Sequence, residues 1–300
     1  MGYRNIFVSS SAKLSCKNNQ LIVQADDTFS IPIEDINCLM LEDLKSNISV
    51  YLLSALSEKG VTVFVCDQKH LPCGLLLPMW SHSRKLKVLK KQLNQKKPFI
   101  KQLWKDVVQT KIENQAICLK LLNKDGSIKL LDIKENVKSG DVDNAEGRAA
   151  RYYFSKLFGN EFYRGIDSTV NASLNYGYAI LRGCMARQLA SYGFEPSLGI
   201  FHHNEQNSFN LADDLMEPFR PIVDLFVGKN ISYDNEADLK PAIKHQLFNL
   251  LNCSVESGNQ IHSVSYAIER TVKSLTRTLE EGTDELLLPR LIGLRQHSYE

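Results

Sequence analysis

The chain has 300 residues, enough for one large or two modest domains with real cores. Apolar residues make up 43% and charged residues 23%, the balance of an ordinary soluble globular protein. The formal net charge of +2 excludes little, because local patches matter more to a polyanion than the total does.

Cys16, Cys38, Cys66, Cys73, Cys118, Cys184 and Cys253 are odd in number and scattered, and no pair forms CxxC. Neither a disulfide framework nor a zinc site is indicated, and most of these residues read as buried thiols of a reducing cytosol. The opening MGYRNIFVSS lacks a charged leader followed by an apolar core, and Ile6 breaks the myristoylation pattern. The longest apolar stretch, around LPCGLLLPMW, is too short to span a bilayer.

Residues 1–70 predict strands. RNIFVSS, AKLSCKN and QLIVQA are short β-branched or alternating runs, and Asn18-Asn19 supplies a hairpin turn because Asn tolerates positive φ. FSIPIEDINCLML continues the pattern, with Pro32 arguing for an edge position. Asn47 is the candidate cap of a helix through SVYLLSALSEKG, and Gly60 its end. VTVFVC then reads as a buried strand. Pro72, Gly74 and Pro78 punctuate an expected linker over 73–83.

Beyond residue 83 the apolar spacing becomes helical. SRKLKVLKKQL, PFIKQLWKDVVQTKIENQAICLKLL and the segments after Glu146 and Thr169 all carry it, whereas the polar stretch 123–143 reads as a loop. No internal repeat is visible. The expected fold is α+β, with an N-terminal β domain over 1–72 and a larger C-terminal α-helical domain over 84–300.

Four stretches hold residues suited to chemistry. In NAEGRAARYYFSKLF, positions 146, 150, 153 and 157 share a helix face, which places Glu146 on an apolar stripe. An ionised carboxylate there needs a partner or a cation; the bland alternative is a first-turn acid favoured by the helix dipole. In GIFHHNEQNSFNLADDLME, His202, His203 and three acids fall within residues 202–217. Asp214 and Glu217 are helix neighbours, and Pro218 biases Glu217 away from the helical region, so a helix starts or kinks there; the alternative is a solvated acidic cap. Asn171 and Asn175 sit beside Gly177 inside a helical pattern, where an asparagine either orients a site or clasps a neighbouring element. Arg84, Lys85, Lys87, Lys90, Lys91, Lys96, Lys97, Lys101 and Lys105, interleaved with Phe99 and Trp104, could track a phosphate backbone or simply form a solvated face.

Taken together these motifs resemble the CRISPR-associated integrase family, the universal adaptation protein "Cas one". GRAARYYF after Glu146 resembles the family's E-x-x-A-A-R motif. NASLNYGYAIL resembles its asparagine-rich helix, and LGIFHHN with FNLADDLMEPFRPIVD its histidine and acidic segment. The resemblance covers nearly the whole chain, and DLMEPFRP with LNYGYA is most like forms encoded beside a single large RNA-guided effector nuclease. By motif position the resemblance implies metal ligands at Glu146, His202 and Glu217. His202 is preferred to His203 because it follows the LGIF run directly. Asp214 matches a second acidic position and is taken as supporting, with Asn171, Asn175 and Arg220 around it. Two carboxylates and an imidazole suit Mg²⁺ or Mn²⁺.

The resemblance further implies a cytoplasmic, DNA-acting homodimer. Two such dimers would flank a dimer of the small partner "Cas two", with the effector nuclease as a further candidate partner. The implied activity is insertion of captured DNA into a CRISPR array by transesterification. A metal nuclease without integration, and a non-catalytic DNA scaffold, are the competing readings. A compact chain of this length has a radius of only about 18–20 Å, so two joins a repeat apart call for two sites, and residues 1–70 are the expected dimer surface.

Overall fold

The computed structural model describes residues 2–77, 83–232, 239–282 and 286–298. The chain divides into two compact units, Met1–Ser83 and Arg84–Glu300. Among the described residues no helix is long and apolar enough to cross a membrane.

Among its described residues the first unit holds two four-stranded sheets and one α-helix. β1 (Arg4–Val8), β5 (Ile36–Leu41) and β7 (Thr62–Cys66) are parallel, and β8 (Pro72–Leu76) pairs antiparallel with β7. Every residue of β5 is buried, as expected of a central parallel strand. The second sheet runs in the order β4 (Thr28–Pro32), β3 (Gln20–Gln24), β2 (Lys13–Lys17), β6 (Asn47–Ile48). Asn18 and Asn19 both adopt positive φ, 52° and 57°, the conformation of a two-residue hairpin turn whose twist matches the strands. Pro32 lies on edge strand β4, where its missing N–H costs no ladder bond. Leu14, Leu21, Leu39, Leu52, Leu56 and Val63 form the heart of this unit's core.

Two local expectations are corrected here. Helix α1 (Val50–Glu58) is capped by Ser49, whose hydroxyl accepts the Leu52 N–H, while Asn47 pairs with Lys13 in β6. Of the expected linker, residues 73–76 belong to β8, where the Val65 pairing absorbs Gly74, and residues 78–82 lie outside the described residues.

The second unit is mainly helical: α2 (Lys85–Leu93), α3 (Lys97–Leu121), α4 (Ser127–Glu135), α5 (Ala145–Phe158), α6 (Thr169–Ser191), α7 (Asn210–Met216), α8 (Arg220–Asn230), α9 (Pro241–Asn249) and α10 (Val264–Glu281). A three-stranded sheet accompanies them, with β9 (Cys253–Ser257) between β10 (Gln260–Ser263) and β11 (Arg290–Gln296). The expected loop over 123–143 instead contains α4, started by Gly126 at φ 110° and anchored by Leu130, which is fully buried. α3 packs against α4, α5, α8 and β11, and its face through Leu103, Val107, Val108, Ile112 and Leu119 is the centre of the core.

Between α7 and α8 the chain does not break. Glu217–Phe219 forms a single 3₁₀ turn, so one nearly continuous helical run extends from Asn210 to Asn230. Glu217 has helical angles, φ −51° and ψ −45°, despite the following proline. The turn is held from outside: Asn114, buried on α3, donates to the carbonyls of Pro218 (2.8 Å) and Pro289 (2.9 Å) and accepts the Leu291 N–H. The steric bias against a helical residue before proline is overcome by this tertiary clasp.

Candidate metal centre

Glu146 stands in the first turn of α5. Asn144, in a left-handed conformation, caps that helix by accepting the Gly147 N–H, and Asp141 accepts the N–H groups of Ala145 (2.7 Å) and Glu146 (3.0 Å). The buried stripe of α5 is Ala145, Ala149, Tyr153 and Leu157. Glu146 flanks it instead of lying on it, as the 146/150/153/157 spacing had suggested, and points its half-buried carboxylate at α3.

There it meets Lys111. This lysine sits on the buried face of α3, 6% exposed. Its Nζ lies 2.5 Å from Glu146 Oε1 and 2.5 Å from Glu217 Oε2. The two carboxylate oxygens are therefore at most 2.5 + 2.5 = 5.0 Å apart. Arg220, one turn beyond Glu217, reaches the other carboxylate oxygen at 3.0 Å. Burial by itself would push the Glu217 carboxyl up, but the Arg220 and Lys111 cations outweigh it and hold the group below the usual carboxylate range. Burial likewise opposes charge on Lys111, yet Glu217 and Glu146 keep its ammonium more strongly protonated than a free lysine.

His202 approaches from the loop before α7, and its placement is over-determined. Its Nδ1 is 2.5 Å from Asp214 Oδ1. Asp214 is fully buried, and it also accepts the backbone N–H groups of Ile200, Phe201 and His202 at 2.5, 2.9 and 3.3 Å. The loop passes so close that a Cβ at Gly199 would stand 2.2 Å from the His202 carbonyl oxygen, so only glycine fits. Phe201 stacks on Trp104 at 4.4 Å, and the His202 ring stands edge-on to both. With Nδ1 committed to Asp214, Nε2 is the nitrogen left to bind. The Asp214 hydrogen bond raises the His202 pKa, with burial opposing and the carboxylates of Asp214, Glu217 and Glu146 adding to the rise.

The other expected residues fall around this centre. Asp213 pairs with Arg182 at 2.6 Å. His203 is exposed and lines a cavity of about 400 Å³ with Lys97, Lys101, Trp104 and Phe201. Asn171 and Asn175 take the clasping role: both accept hydrogen bonds from Arg164, and Asn171 Nδ2 donates to the Tyr163 and Ile166 carbonyls. They touch none of the three candidate ligands directly. Their influence passes through Tyr178, whose ring lies under the guanidinium groups of Arg164 (5.3 Å) and Arg220 (4.8 Å). Beneath the site, Tyr153 and Tyr178 donate to Asp224, a fully buried carboxyl pushed up to about 6 by burial, with the two tyrosines opposing. In the basic stretch, Arg84, Lys85, Lys90, Lys96 and Lys97 are exposed, whereas Lys91 reaches Glu280 at 2.8 Å.

Do these residues suit a divalent cation? Two carboxylates and an imidazole are hard donors of the right kind. Glu217 Oε2 is buried, and the Lys111 ammonium stands 2.5 Å from it. A buried carboxylate oxygen of this kind needs a cation beside it, and here the ammonium fills that place. Among the described residues no three acid, histidine or cysteine side chains already surround one point, since the Lys111 ammonium stands between the carboxylates. The set fits the ion once that ammonium yields.

Lys111 was not among the sequence candidates. Its signal was the one that marked Glu146: a charged residue at a helix position spaced with Val107, Val108, Ile112 and Gln115 on a buried face.

A two-unit α+β chain whose helical unit brings two carboxylates onto one buried lysine is the class of protein these features describe, and the chain belongs to the CRISPR associated protein Cas1 family, whose profile matches residues 6–238. It is 40% identical over the full length of both chains to the "CRISPR-associated endonuclease Cas1" of Neisseria meningitidis serogroup C (strain 8013). Its fold is also that of a casposase bound to integration product, with a TM-score of 0.74 at 21% identity over 95% of this chain and 92% of that one. A Cas6-RT-Cas1–Cas2 complex matches with a TM-score of 0.70 at 19% identity, over 95% of this chain and 36% of the larger one.

Proposed function

We propose that this chain is a divalent-metal-dependent DNA integrase that inserts captured fragments into a CRISPR array. The observation that carries the reading is the convergence of Glu146 and Glu217 within 5.0 Å (2.5 + 2.5), beside a histidine fixed by a buried aspartate. Glu146, Glu217 and His202 Nε2 would hold the ion. A bound Mg²⁺ or Mn²⁺ supplies Lewis-acid polarisation of a phosphoryl oxygen and lowers the pKa of the attacking hydroxyl. The reaction is a transesterification. The captured fragment's 3′-oxygen forms a bond to phosphorus, the phosphodiester bond of the repeat strand breaks, and the proton lost by the attacking hydroxyl is balanced by one taken up at the departing 3′-oxygen. No protein nucleophile is required. Asp214 holds the His202 ring, and Arg220 braces Glu217 from the far side.

The start of α3 supports a DNA partner. Its first turn carries no acid, and Lys96, Lys97 and Lys101 crowd an end where the helix dipole disfavours cations. Those positions serve a polyanion better than they serve the helix, and Lys97 and Lys101 line a cavity with Trp104, Phe201 and His203. The family and the casposase and Cas1–Cas2 neighbours support the integrase chemistry and a Cas2 partner. Association with a single-effector system rests on DLMEPFRP and LNYGYA alone.

The test is strand transfer into supercoiled CRISPR DNA by purified protein with Mn²⁺ and its Cas2 partner. Glu146→Ala, His202→Ala and Glu217→Ala should each bring transfer to background while the fold is kept, and His203→Ala should be far milder. Cleavage without joined product would leave a nuclease only, and wild-type transfer by all three variants would remove the site.

A further inference from the structure

Lys111 is a cation already placed where the metal reading puts another. Its Nζ contacts one oxygen from each carboxylate, Glu146 Oε1 and Glu217 Oε2, at 2.5 Å. The Lys111 side chain is only 8% exposed and that of Glu217 4%, so on the Glu217 side water is a poor substitute for the ammonium. Together with Arg220, it balances Glu146 and Glu217 charge for charge, two positive against two negative. A divalent ion binds carboxylate oxygens at about 2.0–2.2 Å, closer than the ammonium stands, and on the same two atoms. Ion and ammonium cannot share them.

We propose that Lys111 is a built-in competitor for the divalent ion: it holds Glu146 and Glu217 in position while the ion is absent, and ion binding proceeds by displacing its ammonium. This rests on the metal reading above and adds an exchange step to it. The displaced ammonium has an acceptor near. Gln115 follows one turn later on the same buried face of α3, and its buried Oε1 accepts no hydrogen bond among the described residues. Competition of this kind makes ion affinity weaker than the donor set alone would give. It also keeps the carboxylate pair from splaying or collapsing before the ion arrives.

The experiment compares the full-length wild type with Lys111→Met and Lys111→Arg. Mn²⁺ affinity is read by electron paramagnetic resonance titration, and thermal unfolding is read in EDTA and in Mn²⁺. Lys111→Met should bind Mn²⁺ at least about tenfold tighter, melt below the wild type in EDTA, and gain more from Mn²⁺ than the wild type does. Lys111→Arg, which keeps the charge, should stay close to the wild type in all three. If Lys111→Met does not fold in EDTA, adding Glu146→Gln should restore folding by removing one of the two repelling charges; failure to restore it overturns the proposal. A wild type that binds Mn²⁺ and a Lys111→Met that binds no tighter overturns the exchange alone. A wild type that binds no Mn²⁺ overturns the metal reading and this one with it.

Discussion

Asp214 and Asp224 are both buried carboxylates of the same helical run, and they do opposite things. Asp214 is saturated with three backbone N–H donors and His202, and its value lies in aiming one ring. Asp214→Asn should therefore weaken Mn²⁺ binding about 10- to 100-fold, the usual cost of losing such a partner, and should lower the His202 pKa measured by NMR in EDTA. The variant's amide spectrum must first show the native fold, since unfolding would lower that titration too; a folded variant with an unchanged His202 titration would overturn the role. Asp224 has only two tyrosine hydroxyls and distant arginines to offset its burial, and its carboxyl sits at about 6. Between pH 4 and 6 the folded state then binds a proton that the unfolded chain has released, so stability falls as pH rises through that window, by up to about 3 kcal/mol. Asp224→Asn should lose that part of the slope in urea midpoints taken from pH 4 to 7; an unchanged slope would assign it elsewhere. Glu146 and Glu217, which meet at Lys111, and His202, held by Asp214, could be named as candidates from the sequence because their motifs are long and ordered. Lys111 was not, because a lysine in a lysine-rich helix reads as surface until the partner helices are placed against it.

At the scale of elements, the close approach of α6 and α8 decides how firmly Asp224 and Arg220 are held. A Cβ at Gly177 would stand 2.5 Å from Val223 Cγ1 and 3.0 Å from its Cγ2. Gly177→Ala should thus destabilise by about 1–3 kcal/mol despite alanine's better helix propensity, and Val223→Ala should recover part of the loss. Paired melting curves of the single and double variants measure this. The hairpin at Asn18-Asn19, the buried strand β7 and the long helices α3 and α6 were readable from local signals. α4 was not, because only Leu130 of its nonapeptide repays the helix with full burial, and a single anchor leaves no period to detect. Nor was the small sheet of the second unit: Gly258 and Asn259 mark its hairpin, but β11 returns to pair only at Arg290, beyond the whole of α10. Pairings of that sequence separation leave no local trace.

For the whole molecule, two predictions concern charge and assembly. Neutralising Lys90, Lys96 and Lys97 together should flatten the dependence of DNA affinity on salt, since each lost phosphate contact removes nearly one unit of slope. Lys91 and Lys87 should contribute less, because both lie near Glu280. An unchanged slope would return the stretch to a solvated face. The first unit presents edge strand β4 with Phe29 56% exposed, and α1 with Val50 and Tyr51 81% and 67% exposed. Apolar surface and an open edge on one unit fit self-association through residues 1–70. Light scattering should give a dimer at micromolar concentration, and Phe29→Lys with Tyr51→Lys should shift it toward monomer. A wild-type monomer that completes both joins by itself would refute this.

The unbroken run from Asn210 to Asn230 also sets which length changes the gene can tolerate. Asp214, Glu217, Arg220 and Asp224 keep their mutual bearings only through helical pitch, at about 100° per residue. Deleting one residue between Asp214 and Glu217 would swing every later group away from Lys111 and the tyrosines, whereas one residue added near exposed Glu205 would be absorbed by the loop before it reached Asn210. Among natural or laboratory length variants, those near position 205 should persist and those inside 211–224 should vanish, even where each inserted residue is itself a good helix former.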